Sequence, residues 1–357
     1  MSSIDQLTRA ISRGLDFLEE RQDSDGHWQD FSLPFESDMW LTAYVGTMVS
    51  EISLGNTRSM AERSYAWLQQ VANRGRWAYA DVAALDADST IWASRLGEQL
   101  GFGISSETLE FLHKHVCDDG QIATYIHEDF LERYGDDFQM QSPGWYRGHP
   151  CVTSAASSLA GLPWRDTLVH ALSLAQQSTG SWHGYWWIDP EYATALSIEG
   201  LRGSAEYASS VAAAGQWLSR RAQGGAVNTP HFPQGSAFAT GLALRGLAMA
   251  GQLGPVQERI GAWLANAQRR DGSWSSSAAM LIPNPHMMRP NPLLWLPGKR
   301  KRTRWETIFL DQYRLHTTST VINALWHLLA ALEQEGDAGL CAESADHQRI
   351  RQSRGGA

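Results

Sequence analysis

The residues best placed to do acid–base chemistry are Asp86 and Asp88, one residue apart in the run Asp86-Ala87-Asp88-Ser89-Thr90-Ile91-Trp92. An apolar, helix-forming stretch follows them, so the pair falls at a helix N-terminus. Two carboxyl groups that close share protons and hydrogen bonds. Neighbours that hold one of them protonated turn it into a general acid. The plainer reading is that they cap the helix, a position Asp favours. Asp38 and Glu191 add two more carboxylates, and a glycoside hydrolase would need two of the four at a set separation.

A second cluster is Arg147-Gly148-His149-Pro150-Cys151-Val152-Thr153, which opens another helix. His149 is positioned in sequence to tune Asp88 or to accept a proton. Cys151 either faces a cavity or is a buried structural thiol, the commoner fate. The densest aromatic stretch is Trp182-His183-Gly184-Tyr185-Trp186-Trp187-Ile188-Asp189-Pro190-Glu191-Tyr192. A basic run, Lys299-Arg300-Lys301-Arg302 with Arg304 beside it, either binds a diphosphate or is a solvated loop. Mg2+ is expected only if the substrate carries a diphosphate. Otherwise no cofactor and no resident metal are expected, because no ligand set has metal spacing.

The elements that must position these groups repeat along the chain. Phe17-Leu18-x3-Gln22-x3-Gly26-x-Trp28 and Trp263-Leu264-x3-Gln268-x3-Gly272-x-Trp274 share one template. Ala171-Leu172-x3-Gln176-x3-Gly180-x-Trp182 differs only in its first residue. Weaker copies begin at Trp67-Leu68, Phe111-Leu112 and Trp217-Leu218. In each, an amphipathic helix ends at a glycine that takes a left-handed conformation cheaply. The tryptophan after it is expected to cover the helix end, with the glutamine satisfying exposed carbonyls or the indole N–H. A second, more apolar helix follows each turn: 38–50, 88–100, 150–162, 190–201, 236–250 and 317–332. These are apolar on several faces, so they are expected inside, with the charged first helices outside. The resulting fold class is all-α, an (α/α)6 toroid of six helix-pair repeats. Residues 1–334 form one domain and 335–357 a polar, flexible C-terminal tail. Two connections exceed the rest, 117–148 and 275–315, and segments that long are commonly lids.

Composition bounds the partners. The 357 residues carry a net charge of −9, from 29 Lys and Arg against 38 Asp and Glu, so nucleic acid is excluded as a ligand. Sixteen tryptophans point to a packing scheme that reuses the ring, or to an aromatic pocket. Cys117, Cys151 and Cys341 are too few and too scattered for a disulfide framework. With no signal sequence and no apolar run long enough to span a membrane, the reading is a cytoplasmic protein. A homodimer or a partner subunit remains open.

The Gln-x3-Gly-x-Trp turns resemble the repeats of squalene–hopene cyclases, related class II terpene cyclases and protein prenyltransferases. The stretch from Gly75-Arg76-Trp77-Ala78-Tyr79 to Trp92 is similar to the one that carries the DxDD motif of class II cyclases. Asp86 matches its first Asp and Asp88 its middle one, while Ser89 replaces the third. The resemblance implies that Asp88 is the general acid that protonates an isoprenoid or similar apolar polyene. The cation formed then needs a dry pocket walled by π faces. Trp40, Trp92, Trp145, Tyr146, Cys151, Trp186, Trp187, Tyr192 and Phe238 are the candidate substrate-binding residues. The prenyltransferase side of the resemblance implies a zinc alternative, with Asp88, Cys151 and either His149 or His183 as ligands. Class II cyclases usually build the cavity between two barrels, whereas this chain has repeats for one. An enzyme that guides carbocationic cyclisation in a specialised-metabolite pathway is the leading expectation. The alternative is a non-catalytic toroid that binds a prenylated or peptide ligand or a partner subunit.

Overall fold

Each charged, amphipathic segment forms a helix that ends at its Gly turn, and each Ala- and Thr-rich segment forms the helix after it. The computed structural model describes residues 3–32, 35–135, 142–252, 254–288 and 307–354, with side chains as far as Gln334. The first helices of the pairs are α1 (Ser3–Glu19), α3 (Thr57–Val71), α5 (Ser106–Lys114), α8 (Arg165–Ala175), α10 (Ala208–Arg221) and α12 (Pro255–Ala267). The second helices are α2 (Met39–Ser50), α4 (Ala87–Gln99), α7 (Pro150–Ser157), α9 (Glu191–Leu201), α11 (Ala237–Met249) and α13 (Leu315–Arg354). A further helix, α6 (His127–Tyr134), forms within the 117–148 connection.

Helix α2 packs on α4, α4 on α7, α7 on α9, α9 on α11, α11 on α13, and α13 back on α2. The succession returns to its start. The charged helices lie outside it, each against neighbours in the ring. Helix α7 ends at Ser157, short of the expected Leu162, whose own backbone is kept from the helical region by Pro163. The tail expected beyond Gln334 falls where side chains lie outside the described residues, and α13 itself runs to Arg354.

One set of bonds recurs at every turn. The backbone N–H of Trp28, Trp77, Ile122, Trp182, Val227 and Trp274 donates to the hydroxyl of Thr42, Thr90, Thr153, Thr194, Thr240 and Thr318 respectively. Each turn is thereby pinned to the first turns of the following inner helix. The indole N–H of Trp28, Trp77, Trp182 and Trp274 donates to the carbonyls of Leu18, Leu68, Leu172 and Leu264, carbonyls left open near a helix end. The glutamine bonds outward. Gln268 Nε2 donates to Gly272 O at 2.8 Å and to Ala10 O of α1 at 2.8 Å, and Gln176 spans from Gly180 O to Ser210 O in the same way. Gly26 and Gly180 have φ of 107° and 97°, and a Cβ on either would strike the carbonyl of the next outer helix. Glycine is therefore required twice over. Replacing Gln268 by Ala removes both of its bonds, one within the last turn and one to α1. It is expected to cost about 1–3 kcal/mol in chemical denaturation, from two lost bonds and the acceptors they leave open.

The recurring threonines set a register. Two residues before them stand Trp40, Asp88, Cys151, Tyr192, Phe238 and His316, all buried except Asp88. The interior of the ring is filled at this level. His316 stacks on Tyr44 at 3.9 Å, on Trp40 at 5.2 Å and on Trp187 at 5.1 Å between ring centres. Five residues after the threonines, Arg95, Glu199, Arg245 and Asn323 form a buried charged cluster with Glu51 at the end where the inner helices finish. The described cavity lies at the end where the inner helices begin.

The all-α expectation needs one correction. The 275–315 connection forms a short antiparallel hairpin, β1 (Ala279–Ile282) with β2 (Thr307–Leu310), pairing Ala279 with Leu310 and Ile282 with Thr307. Both runs are apolar or β-branched, which suits strands. Their length of 4 residues hid them within a proline-rich segment. The backbone of residues 186–188 docks on β1 through Leu281 N to Trp186 O, 2.8 Å, and Ile188 N to Ala279 O, 3.3 Å.

Candidate functional site

A cavity of about 300 Å3 opens where the inner helices begin. That volume lies at the small end of ligand pockets. Its floor is Trp40 from α2 with Asp86, Asp88 and Ser89 from α4. Its walls come from Tyr79, from the two long connections, and from Trp186. The 117–148 connection supplies Thr124, Tyr125, Phe130, Tyr134 and Trp145, and the hairpin supplies Met280, Leu281, Ile282 and Phe309. Rings and aliphatic groups cover nearly all of the lining, and the carboxyls of Asp86 and Asp88 are its two acids.

The two acids have different surroundings. Asp86 caps α4: its Oδ1 accepts the Ser89 backbone N–H at 2.7 Å and its Oδ2 accepts the Ser89 hydroxyl at 2.7 Å. Asp86 thus caps the helix while lining the cavity, and Ser89, in place of a third acid, braces that cap. Asp88 Oδ2 accepts the Trp40 indole N–H at 3.1 Å. Asp88 Oδ1 is buried and has no hydrogen-bond partner among the described residues. Burial, and then the neighbouring Asp86, push Asp88 up to about 8, against a smaller downward pull from Trp40. Burial raises Asp86 to about 7, opposed by Ser89. The two interact, so they titrate as a pair. At neutral pH Asp88 keeps its proton, at the base of an apolar chamber.

His149 is not among the lining residues. Its Nδ1 faces the Thr124 hydroxyl at 3.1 Å, its Nε2 faces Gly144 O at 2.9 Å, and its ring stacks on Tyr185 at 3.9 Å. Burial lowers it to about 3, so it is neutral, with Nε2 protonated toward the carbonyl. Thr124 in turn accepts the Trp186 indole N–H at 2.6 Å. His149 therefore reaches the cavity only through Thr124 and the ring of Trp186.

Of the aromatic candidates, Trp40, Trp145 and Trp186 line the cavity. Trp92, Trp187, Tyr192 and Phe238 are buried in the filled interior of the ring; Tyr192 stacks on Trp187 at 4.5 Å. Cys151 is buried there too and accepts the Tyr185 N–H on sulfur at 3.3 Å, with its thiol pushed up to about 11 by burial. Tyr146 packs near Phe130 at 5.9 Å, behind the wall. Sequence reasoning passed over Tyr79, Tyr125, Phe130, Tyr134, Met280 and Phe309. Tyr79 lay in the stretch quoted for its likeness to class II cyclases. The others lie in the two long connections, whose length was their only signal.

Among the described residues, no group of three or more His, Cys, Asp or Glu could hold a metal ion. His183 is exposed, and the ring nitrogens of His149 are engaged as above. Asp38 and Glu191 are not among the lining residues, so no second carboxylate faces Asp88 across a polar groove. The basic run 299–302 and Arg304 lie outside the described residues. No helix among the described residues is long and apolar enough to cross a membrane.

No family model matches the chain, and no curated protein does. Solved structures do. A protein from Actinoplanes is 37% identical with a TM-score of 0.80, over 90% of this chain and 99% of that one. A variant of type II terpene cyclase MstE from Scytonema, in complex with its substrate geranylgeranyl dihydroxybenzoate, is 31% identical with a TM-score of 0.84, over 92% of this chain and 99% of that one. The ent-copalyl diphosphate synthase from Streptomyces platensis, at 15% identity and a TM-score of 0.54 over 82% of this chain and 50% of that one, shares the fold alone.

Proposed function

The chain belongs to the type II terpene cyclase family, and we propose that it cyclises a prenylated hydroxybenzoate by protonating the chain's terminal alkene. We place it, on its Gln-x3-Gly-x-Trp turns, with the squalene–hopene cyclase superfamily, and take the closed ring of helices as a toroid of six repeats. The observation that carries the reading is the Asp88 carboxyl at the floor of an aromatic chamber, with Oδ2 on the Trp40 indole and Oδ1 buried without a partner among the described residues. The class of substrate is suggested by what MstE binds, geranylgeranyl dihydroxybenzoate. MstE is matched over nearly its whole length, so a second barrel is not needed to explain the likeness.

The geometry supports each step. The prenyl chain enters the cavity with its terminal alkene over Asp88. The carboxyl proton moves to one alkene carbon and leaves a tertiary cation at the other. The new carboxylate keeps the Trp40 N–H on Oδ2, a charge-assisted bond stronger than the one it replaces. Successive alkenes attack the cation, and rings close along the wall. The faces of Trp40, Tyr79, Tyr125, Phe130, Trp145 and Trp186 stabilise the moving charge, each by about 0.5–2 kcal/mol. Their packing also keeps water from capturing it early. The last cation loses a proton to water and becomes an alkene, and Asp88 regains a proton from solvent before the next turnover, so the reaction is an isomerisation that needs no cofactor. Mg2+ enters this reading only for a diphosphate substrate.

The direct test is to incubate the protein with prenylated hydroxybenzoates, linear prenyl diphosphates and squalene-like polyenes, and to follow products by mass spectrometry. A cyclic isomer of a prenylated hydroxybenzoate, equal in mass to its precursor, is the expected result. If no panel member turns over, the chain is a binding module for such ligands instead.

The pH dependence follows from the acid's position. Asp88 must be protonated to act, and its pKa lies near 8. Turnover is expected to stay level through neutral pH. Above about pH 8 it should fall by about tenfold per pH unit as the acid ionises. The same sign holds for stability. Asp88 is raised in the fold, so its contribution is complete in acid and is lost as pH rises through about 8. A rate that climbs with pH across this range would identify a base and contradict the assignment.

A further inference from the structure

The indole N–H groups of Trp28, Trp77, Trp182 and Trp274 go to main-chain carbonyls. Those of Trp40 and Trp186 go to side chains, Asp88 and Thr124, and both of these rings line the cavity. The Trp40 bond belongs to the acid. The Trp186 bond takes no part in proton transfer, yet at 2.6 Å it is the shorter of the two.

Thr124 stands in the middle of a relay whose direction is fixed from one end. Gly144 O can only accept, so His149 Nε2, 2.9 Å away, carries the ring proton. Burial keeps the imidazole neutral, so Nδ1 offers a lone pair and the Thr124 hydroxyl donates to it at 3.1 Å. With its proton turned to His149, the Thr124 oxygen presents its lone pairs to the Trp186 N–H. Each bond polarises the next, so the indole is held more firmly than by a lone hydroxyl. Thr124 is 5% exposed and His149 1%, which keeps bulk water from replacing these bonds.

The relay also ties the wall to the acid. Thr124 O accepts the Ala87 N–H at 2.9 Å, between Asp86 and Asp88. The Trp186 backbone is held separately, with its carbonyl on Leu281 N of the hairpin at 2.8 Å. The ring is therefore fixed at two points, tilted against Trp145 at 5.5 Å and edge-on to Tyr125 at 6.2 Å. A cation is attracted to the face of a ring, so the ring's orientation decides how much of that attraction it receives.

We propose that Thr124 and His149 are positioning residues that hold the Trp186 face in register with the acid, and so set how far cyclisation runs before the cation is quenched. This rests on the cyclase reading. A loosened ring stabilises the cation less, and water captures it earlier. Capture forms a C–O bond, releases a proton to solvent and gives an alcohol heavier than the cyclic isomer by one water.

The test pairs a readout of the ring with a readout of the product. In protein isotopically labelled at the indole nitrogens, the Trp186 N–H signal in the NMR spectrum is the one missing from Trp186→Phe. Thr124→Val, which keeps a β-branched side chain without the hydroxyl, is expected to move that signal upfield, and Thr124→Ser to restore it. With geranylgeranyl dihydroxybenzoate, Thr124→Val is expected to raise the share of hydrated and partly cyclised products by about 2- to 30-fold, the range that one ring's hold on a cation spans. Thr124→Ser should return the wild-type ratio. Trp186→Phe keeps a ring without the N–H and carries the test if Thr124→Val does not fold. The double variant is expected to match Trp186→Phe, because the two changes break one bond. His149→Phe should shift signal and products in the same direction as Thr124→Val, and wild-type behaviour in it would remove His149 from the relay. An indole signal that ignores Thr124→Val would overturn the proposal. So would a moved signal with an unchanged product ratio, or a Thr124→Val effect that persists in full beside Trp186→Phe. If the signal responds as expected but the wild type turns nothing over, the cyclase reading fails and the product role with it, while the relay's hold on the ring stands.

Discussion

Asp88→Asn is expected to lower the rate of cyclisation by roughly 10²–10⁴-fold or more while leaving ligand binding within a few-fold. The amide has the shape of the acid, and its oxygen still accepts the Trp40 N–H that holds Oδ2 now. What it lacks is a proton to give. The effect should therefore fall on the rate of chemistry in a single turnover, read by mass spectrometry, and not on affinity, read by quenching of tryptophan fluorescence. Asp86→Asn is the instructive companion. It keeps a cap acceptor for Ser89 but removes the charge that helps raise Asp88. Its loss should be smaller, and its pH profile should break at lower pH than that of the wild type. An Asp88→Asn protein that cyclised at near wild-type rate would remove Asp88 from the mechanism.

The second large effect is on stability. Arg245 is 1% exposed and bonds Asn323, Glu199 and both carboxylate oxygens of Glu51, all between 2.7 and 3.0 Å. Arg95 completes the cluster with a 2.8 Å bond to Glu199. Burial alone would raise Glu199, but Arg245 and then Arg95 hold it down at about 2. Arg245→Met leaves Glu51 with only His327, Asn323 and Gln99, and Glu199 with only Arg95. The expected cost is about 3–5 kcal/mol in denaturant unfolding at neutral pH. The sign of its pH dependence follows. The depressed pKa stabilises the wild type above the ordinary carboxylate range, and that contribution is lost as pH falls toward 2. In the variant the stranded carboxylates can take up protons in mild acid. The gap between the two proteins should narrow as pH falls from neutral toward the carboxylate range. A gap that stayed constant with pH would mean that lost packing, not stranded charge, sets the cost.

The parts of this molecule that were legible in the sequence are those that repeat. Gln268, Gly272 and Trp274 announce a helix end because each residue type solves one problem of that end: a tie to the next outer helix, a left-handed turn and a cover for an open carbonyl. The apolar runs after the turns announce the inner helices for the same reason, as periodicity survives in a single sequence. The threonine register that places Asp88 at the level of Trp40 and Phe238 shows only in the hydrogen bonds of the structure. The sequence does not say whether that level is open or filled, because filling depends on ring volumes summed across six helices. Trp187, Tyr192 and Phe238 therefore read as cavity wall, whereas His316 and its stacked neighbours close the interior beneath Asp88. The walls that do line the cavity were the hard part. Tyr125, Phe130, Met280 and Phe309 sit on connections whose path is set by tertiary contacts. The strands of the hairpin are too short to show a period of two against their prolines.

Carrying out the reaction in deuterium oxide tests the central claim most directly. The carboxyl of Asp88 exchanges its proton with solvent, so its transfer to an alkene carbon leaves a permanent label. With geranylgeranyl dihydroxybenzoate as the substrate, the account predicts a cyclic product that carries one deuterium on the ring carbon formed from the terminal alkene. A cyclic product without deuterium at carbon would contradict protonation by an exchangeable acid, and with it the role assigned to Asp88.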